Sequence, residues 1–215
     1  MERAASGNRR RRRMCRRLAS IGKKVVQIGC DPKADSTLNL LHGEPVMPVM
    51  DYYRQYTEGP DFDHIGKEGY GGVFCIETGG PTPGLGCAGR GIIATFDLID
   101  ELEVFEKLSP DVVMYDVLGD VVCGGFSAPI RDGYADEIFI VTSGEKMALY
   151  AAANIFKAVE NFKSRGYAQV KGSFSIAAMS TMNMKRSRLL PMNTVCPSWP
   201  TFPAVRKSSF MKTRE

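Results

Sequence analysis

Three short apolar runs, each ending in a polar loop, restrict this chain more than anything else in it. They are Lys24 to Asp31, Asp111 to Asp116 and Glu137 to Thr142, and Pro32 stops the first from continuing as a central strand. Between and beyond them lie stretches with helical spacing, Ile92 to Leu108 and Lys146 to Phe162. Strands that alternate with helices imply an α/β fold, a mostly parallel sheet with helices on both faces. Ligands of such sheets collect beyond the carboxyl ends of the strands, where Asp31, Asp116 and Ser143 fall.

The 215 residues, 44% hydrophobic and 24% charged, suit one domain with a sizeable core. No apolar run is long enough to cross a bilayer, and the Arg-rich start has no apolar signal-peptide region. The expectation is a cytoplasmic protein with no membrane partner. Six cysteines at irregular spacing in a chain this long point to metal or redox chemistry rather than to a disulfide framework. The net charge of +4 is unevenly spread. Residues 1–17 hold eight Arg and one Glu, and residues 173–215 hold seven Lys or Arg and one Glu, which leaves 13 basic against 22 acidic groups in 18–172. An acidic body with basic ends argues against nucleic acid as the partner of the body.

Chemistry concentrates in two glycine-rich segments. One is Asp116-Val117-Leu118-Gly119-Asp120-Val121-Val122-Cys123-Gly124-Gly125-Phe126, where two carboxylates precede a cysteine in a glycine turn. The other is Gly84-Leu85-Gly86-Cys87-Ala88-Gly89-Arg90-Gly91, at the end of a Pro- and Gly-rich stretch that begins at Gly69 and reads as one long surface loop holding Cys75 and Cys87. Cys30 and Cys75 read as small buried hydrophobes. His42 and His64 have no partner pattern and read as surface residues, and Met147 with Tyr150 reads as core or interface packing. No internal repeat is present.

Three segments, Cys30-Asp31-Pro32-Lys33-Ala34-Asp35-Ser36-Thr37, Gly79 to Gly91, and Asp116 to Phe126, resemble the nitrogenase iron protein family in order and spacing, over about residues 18–172. The resemblance implies a P-loop NTPase-like fold, MgATP, and a [4Fe-4S] cluster bridging two subunits of a homodimer, with Cys87 and Cys123 as each subunit's two ligands. It implies that Asp31 polarises the attacking water, that Lys33 reaches phosphate, and that Asp35 belongs to the same first nucleotide switch. Asp116 falls near the magnesium shell, and Asp120, in the second switch, lies three residues before the cluster ligand Cys123. Arg90 matches an arginine that some members carry ADP-ribosylated, on the surface that docks the electron acceptor.

The family's phosphate loop is missing from its expected place, which Glu2 to Arg9 and an arginine run occupy. Glu2 to Arg9 can be encoded GAA AGG GCG GCA TCG GGA AAT CGA, and the same bases read two positions later give Lys-Gly-Gly-Ile-Gly-Lys-Ser, a phosphate-loop sequence. From Met179 to Lys207 a shifted frame can likewise spell a segment resembling the family's nucleotide-base region. The expected organisation is therefore an out-of-frame basic segment at 1–17, an iron-protein-like nucleotide and cluster domain at 18–172, and an out-of-frame tail at 173–215. With the first strand and P-loop disrupted, a central sheet position is expected to be empty. Both basic ends are expected to be poorly ordered, because neither offers an apolar face. Cys196 and Trp199 receive no functional assignment.

The activity implied is that of an ATP-dependent reductase component of nitrogenase. It would take electrons from ferredoxin or flavodoxin and pass them to a molybdenum-iron dinitrogenase in nitrogen fixation. Two rivals stand beside it. Leu38, Asn39, Thr82 and Leu85 depart from the commonest iron-protein pattern and allow the reductase component of a protochlorophyllide or nickel-tetrapyrrole system. The literal chain, without its phosphate loop, also allows an inactive product that binds no ATP and adheres to nucleic acid through its Arg run.

Overall fold

The computed structural model describes residues 14–56, 59–81, 88–117, 119, 128–131, 133–143, 145–163 and 169–176. In chain order these form helix α1 at 14–20 and strand β1 (Val25–Gly29), then α2 (Val49–Gln55), β2 (Lys67–Glu68) and β3 (Phe74–Glu77). Next come α3 (Ala88–Glu101), α4 (Val104–Leu108), β4 (Val112–Asp116), α5 (Ala128–Arg131), β5 (Glu137–Ser143), α6 (Lys146–Lys163) and β6 (Gln169–Ile176). The three sequence-predicted strands are β1, β4 and β5, and the second predicted helix is α6.

The described strands make two sheets. One has the order β2-β3-β1-β4, with β1 parallel to both β3 and β4 and only β2 antiparallel. The other is the parallel pair β5-β6. No described strand joins β4 to β5.

Strand β1 is buried along its whole length, which is why its sequence is nearly continuous in apolar residues. Its period of two sends alternate residues to opposite faces. Val26 and Ile28 pack with Ile92, Phe96 and Ile99 of α3, while Val25 packs with Cys15 of α1, Leu40 and Leu41. Helices therefore cover both faces of the first sheet, as the sequence implied.

Four expectations need correction. The Gly69–Gly91 stretch is not one surface loop, because Phe74–Glu77 is a strand in which Cys75, Ile76 and Glu77 are buried. The predicted Ile92–Leu108 helix breaks after Glu101, where Glu103 takes the left-handed conformation at φ 52° and starts α4. The basic start is ordered at least from residue 14: Cys15 is fully buried, its thiol 3.0 Å from Gln27 Oε1 and 3.2 Å from Met114 Sδ, and Arg16 lies 3.8 Å over the Tyr70 ring. Leu18 and Ala19 pack beside Cys15, and with the Arg16–Tyr70 cation–π contact they supply the docking face that the arginine run lacks. Residues 173–176 complete β6, where Phe174 and Ile176 alternate with Ser173 and Ser175.

Candidate functional site

Three strands of the first sheet end level with one another. Gly29 of β1 is in register with Glu77 of β3 on one side and with Asp116 of β4 on the other. Residues in one row of neighbouring parallel strands share a face, and strand alternation puts this row on the side of Gln27 and Cys15. Gly29 leaves room there for the Glu77 carboxylate: a Cβ would lie 1.9 Å from Glu77 Oε2 and 2.8 Å from Ser36 Cβ. The missing side chain is the space that the glutamate fills.

The loop after β1 folds back over this row. Asp31 turns it, its Oδ1 accepting the Lys33 amide at 2.9 Å and its carbonyl accepting the Ala34 amide at 3.0 Å, with Ala34 at φ 49°. Ser36 and Thr37 then drop into the interior, 3% and 1% exposed. Ser36 Oγ donates to Asp116 Oδ2 at 2.5 Å. Thr37 donates twice to Glu77 Oε1, from its amide at 2.6 Å and its hydroxyl at 2.7 Å. Gln27 Nε2 adds bonds to Ser36 Oγ at 2.8 Å and to the Ser36 carbonyl at 3.0 Å. The loop is held by three side chains from three adjacent strands.

Glu77 Oε2 is buried and has no hydrogen-bond partner, alone in this respect among the described side chains. Burial raises the Glu77 carboxyl to about 7; the nearby charges of Asp116 and Asp35 push the same way, against the two Thr37 bonds. Burial also pushes the Cys30 thiol far up, with help from Asp116 and Glu77, and raises Cys75 to about 12. Both thiols are inert and fully enclosed, as the sequence implied.

Of the sequence-predicted site residues, Asp31, Lys33, Asp35 and Asp116 come together at the carboxyl ends of β1 and β4. Asp116 is buried, Asp31 is half-buried, and Lys33 and Asp35 are exposed. Arg90 is exposed in the first turn of α3. Cys87, Cys123 and Asp120 lie outside the described residues, as does the segment in place of the phosphate loop. The start of the Cys87 segment is fixed by its neighbours: Arg54 Nη1 donates to the Gly80 carbonyl at 2.6 Å, and a Cβ at Gly80 would meet Pro32 at 2.5 Å. His42 and His64 are exposed. Met147 and Tyr150 are 77% and 65% exposed, which does not fit the core reading of that pair.

Glu77 was missed from sequence. Its signal was there, since Val73-Phe74-Cys75-Ile76 ending in an acid has the same form as the three strands that were read, but the flanking glycines and prolines hid it.

The donor set suits magnesium, which binds through one or two carboxylates together with phosphate oxygens rather than a full protein cage. Asp116 and Asp35 are hard oxygen donors of that kind, and no group of three His, Cys, Asp or Glu among the described residues is arranged to hold an ion alone.

The profile of the "4Fe-4S iron sulfur cluster binding proteins, NifH/frxC family" matches residues 7–192. The chain belongs to that family. It is 50% identical over 156 residues to the nitrogenase iron protein of Methanococcus voltae, an alignment covering 71% of this chain and 55% of that protein. The chain thus spans a little over half the length of this curated relative. Among solved structures it resembles apo McdA of Cyanothece, with a TM-score of 0.54 at 19% identity over 90% of this chain and 78% of that one. It also resembles cobyrinic acid a,c-diamide synthase of Mycobacterium smegmatis, with a TM-score of 0.51 at 12% identity over 74% and 65%. These likenesses show the P-loop NTPase-like α/β fold. The family profile begins and ends outside the 18–172 span that the sequence motifs cover.

Proposed function

We propose that this chain is the ATP-dependent electron-transfer component of a nitrogenase-type system, acting as a homodimer. The observation that carries the reading is the Ser36–Asp116 bond, which ties the two nucleotide-switch segments of a NifH/frxC-family chain to each other. Asp35 and Asp116 would hold magnesium, Lys33 would contact phosphate, and Asp31, anchored by its own turn, would orient the attacking water. Cys87 and Cys123 would supply two of the four thiolates that a [4Fe-4S] cluster takes, the second subunit supplying the rest. When bound, the cluster supplies one-electron transfer. Asp120 is three residues from Cys123, so a change at the second switch reaches a cluster ligand through a very short stretch of backbone.

The acceptor is a molybdenum-iron dinitrogenase and the donor a ferredoxin or flavodoxin, with Arg90 on the docking face and open to ADP-ribosylation. The 50% identity to a nitrogenase iron protein favours this acceptor over a tetrapyrrole reductase. Residues 1–17 and 173–215 are read as frame-shifted ends of a nucleotide and cluster domain at 18–172, and the described elements run past both bounds, from residue 14 to Ile176.

The test is anaerobic purification of the full chain, followed by ATP binding, iron and sulfide analysis and sizing. The expected result is a dimer with four irons and four sulfides per pair of chains, together with magnesium-dependent ATP binding. A monomer free of iron that does not bind ATP overturns the reading in favour of the inactive product. Sequencing the DNA across the ends tests the frame reading, which intact frames would refute.

A further inference from the structure

We infer that Glu77 is a positioning residue for the 31–37 loop: with Asp116 it forms a two-carboxylate clasp across Gly29 that fixes where Asp31 and Asp35 stand. The inference deepens the proposed function, since that loop is the nucleotide switch of that reading. Nothing in the sequence motifs assigns Glu77 a role.

Two successive loop residues are gripped from two different strands. Ser36 is held by the carboxylate at the end of β4 and Thr37 by the carboxylate at the end of β3. The grips sit on either side of β1, in one row, so the loop cannot pivot about a single anchor. The backbone leading into them is already constrained by the Asp31 turn. A loop pinned at both its Asp31 end and its Thr37 end leaves Lys33 and Asp35 little freedom.

A merely structural glutamate would not be built this way. Burying a carboxyl with one oxygen unpartnered costs free energy that an apolar residue of similar size would not. Gly29 is bare where any side chain would evict that carboxyl. The exchange returned is geometric: a charge-assisted pair of bonds onto one threonine. Glu77 acts on the loop through its two bonds from Thr37.

The test uses the full chain without nucleotide, reading amide exchange and proton chemical shifts by NMR. In the wild type the Thr37 amide is expected to be downfield and protected, as a short bond to a carboxylate makes it. In Glu77→Ala, exchange at Thr37 and Asp35 should rise by about tenfold or more, the size of one lost bond to a charged group, while Ile28 in β1 is unchanged. Glu77→Gln, which keeps an acceptor oxygen, should restore most of the protection with an upfield shift at Thr37. Thr37→Val should loosen Asp35 less than Glu77→Ala does, since it keeps the amide bond. Unchanged exchange at Thr37 and Asp35 in Glu77→Ala overturns the inference, and so does a parallel rise at Thr37 and Ile28, which would mark plain loss of stability. Should Glu77→Ala fail to fold, Glu77→Gln and Thr37→Val still decide: no shift at the Thr37 amide in the first and no loosening of Asp35 in the second overturn it. Failure to bind ATP sinks the proposed function but leaves these readouts standing.

Discussion

The β1 and β5 strands are alike in sequence and unlike in setting. Each is a short apolar run leading to a polar loop, yet every residue of β1 is buried, whereas only Ile140 and Thr142 of β5 are, the rest being half-buried. β1 has a parallel neighbour on either side and a helix on each face. β5 has β6 as its one described neighbour and α6 as its packing helix. β4, at the border of the first sheet, is intermediate: only Asp116 is buried along it. The same local pattern therefore gives a scaffold in one place and a lightly packed pair in another, and the acids that converge do so on the scaffold.

The widest expected contrast is in core truncation. Ile28→Ala removes a fully buried side chain of β1 and should cost about 2–5 kcal/mol in a urea titration. Val141→Ala on half-buried β5 should cost no more than about 1 kcal/mol. Equal costs would erase the difference between the two regions.

The pH dependence comes next. The Glu77 carboxyl is raised in the folded chain from 4.5 to about 7, so between those values the folded state holds a proton that the unfolded state has released. Its contribution must then fall as pH rises from about 4.5 to 7, by an amount on the order of 3 kcal/mol at most. The charges of Asp116 and Asp35 act on this group. Exposed Asp61 and Glu44 and half-buried Asp111, all lowered by their partners, slope the other way below that window. Glu77→Gln should flatten the 4.5 to 7 segment of the stability curve, and a curve unchanged by the substitution would refute the assignment.

A smaller effect is expected from Gly29→Ala, about 1–3 kcal/mol from overpacking against Glu77 and Ser36. The double variant Gly29→Ala with Glu77→Ala should cost less than the sum of the singles, because the two side chains compete for one space. Strict additivity would place the clash elsewhere. Smallest of all is Lys23→Ala, which removes a partly exposed ion pair to Asp111 at the start of β1 and β4, 3.0 Å long. Thermal unfolding should not resolve it, as the Asp111 carboxylate keeps the Lys24 amide at 2.8 Å.

Much of this arrangement was legible because apolar runs and motif residues coincide. β1, β4, β5 and α6 announce themselves by period, and Asp31, Asp35 and Asp116 by the motif they share with the iron proteins. What escaped did so for local reasons. β3 is four residues set among glycines. Nothing in Leu102-Glu103 signals a helix break, since Glu103 adopts a left-handed conformation that its residue type does not advertise. α1 docks through Cys15, Leu18 and Ala19, a stripe of three residues too short to stand out beside a run of arginines. Glu77 is meaningful only beside Gly29 and Thr37, a row that depends on strand register rather than on sequence spacing.

Native-state hydrogen exchange along β1 and β5 separates the two regions in one experiment. Amides of Val26 and Ile28 should exchange only with global unfolding, and those of Ile138 and Ile140 sooner, through a partial opening that leaves the first sheet intact. If β5 is protected as strongly as β1, or more so, the acids at the end of β1 do not stand on a privileged scaffold, and the contrast drawn between the two sheets is wrong.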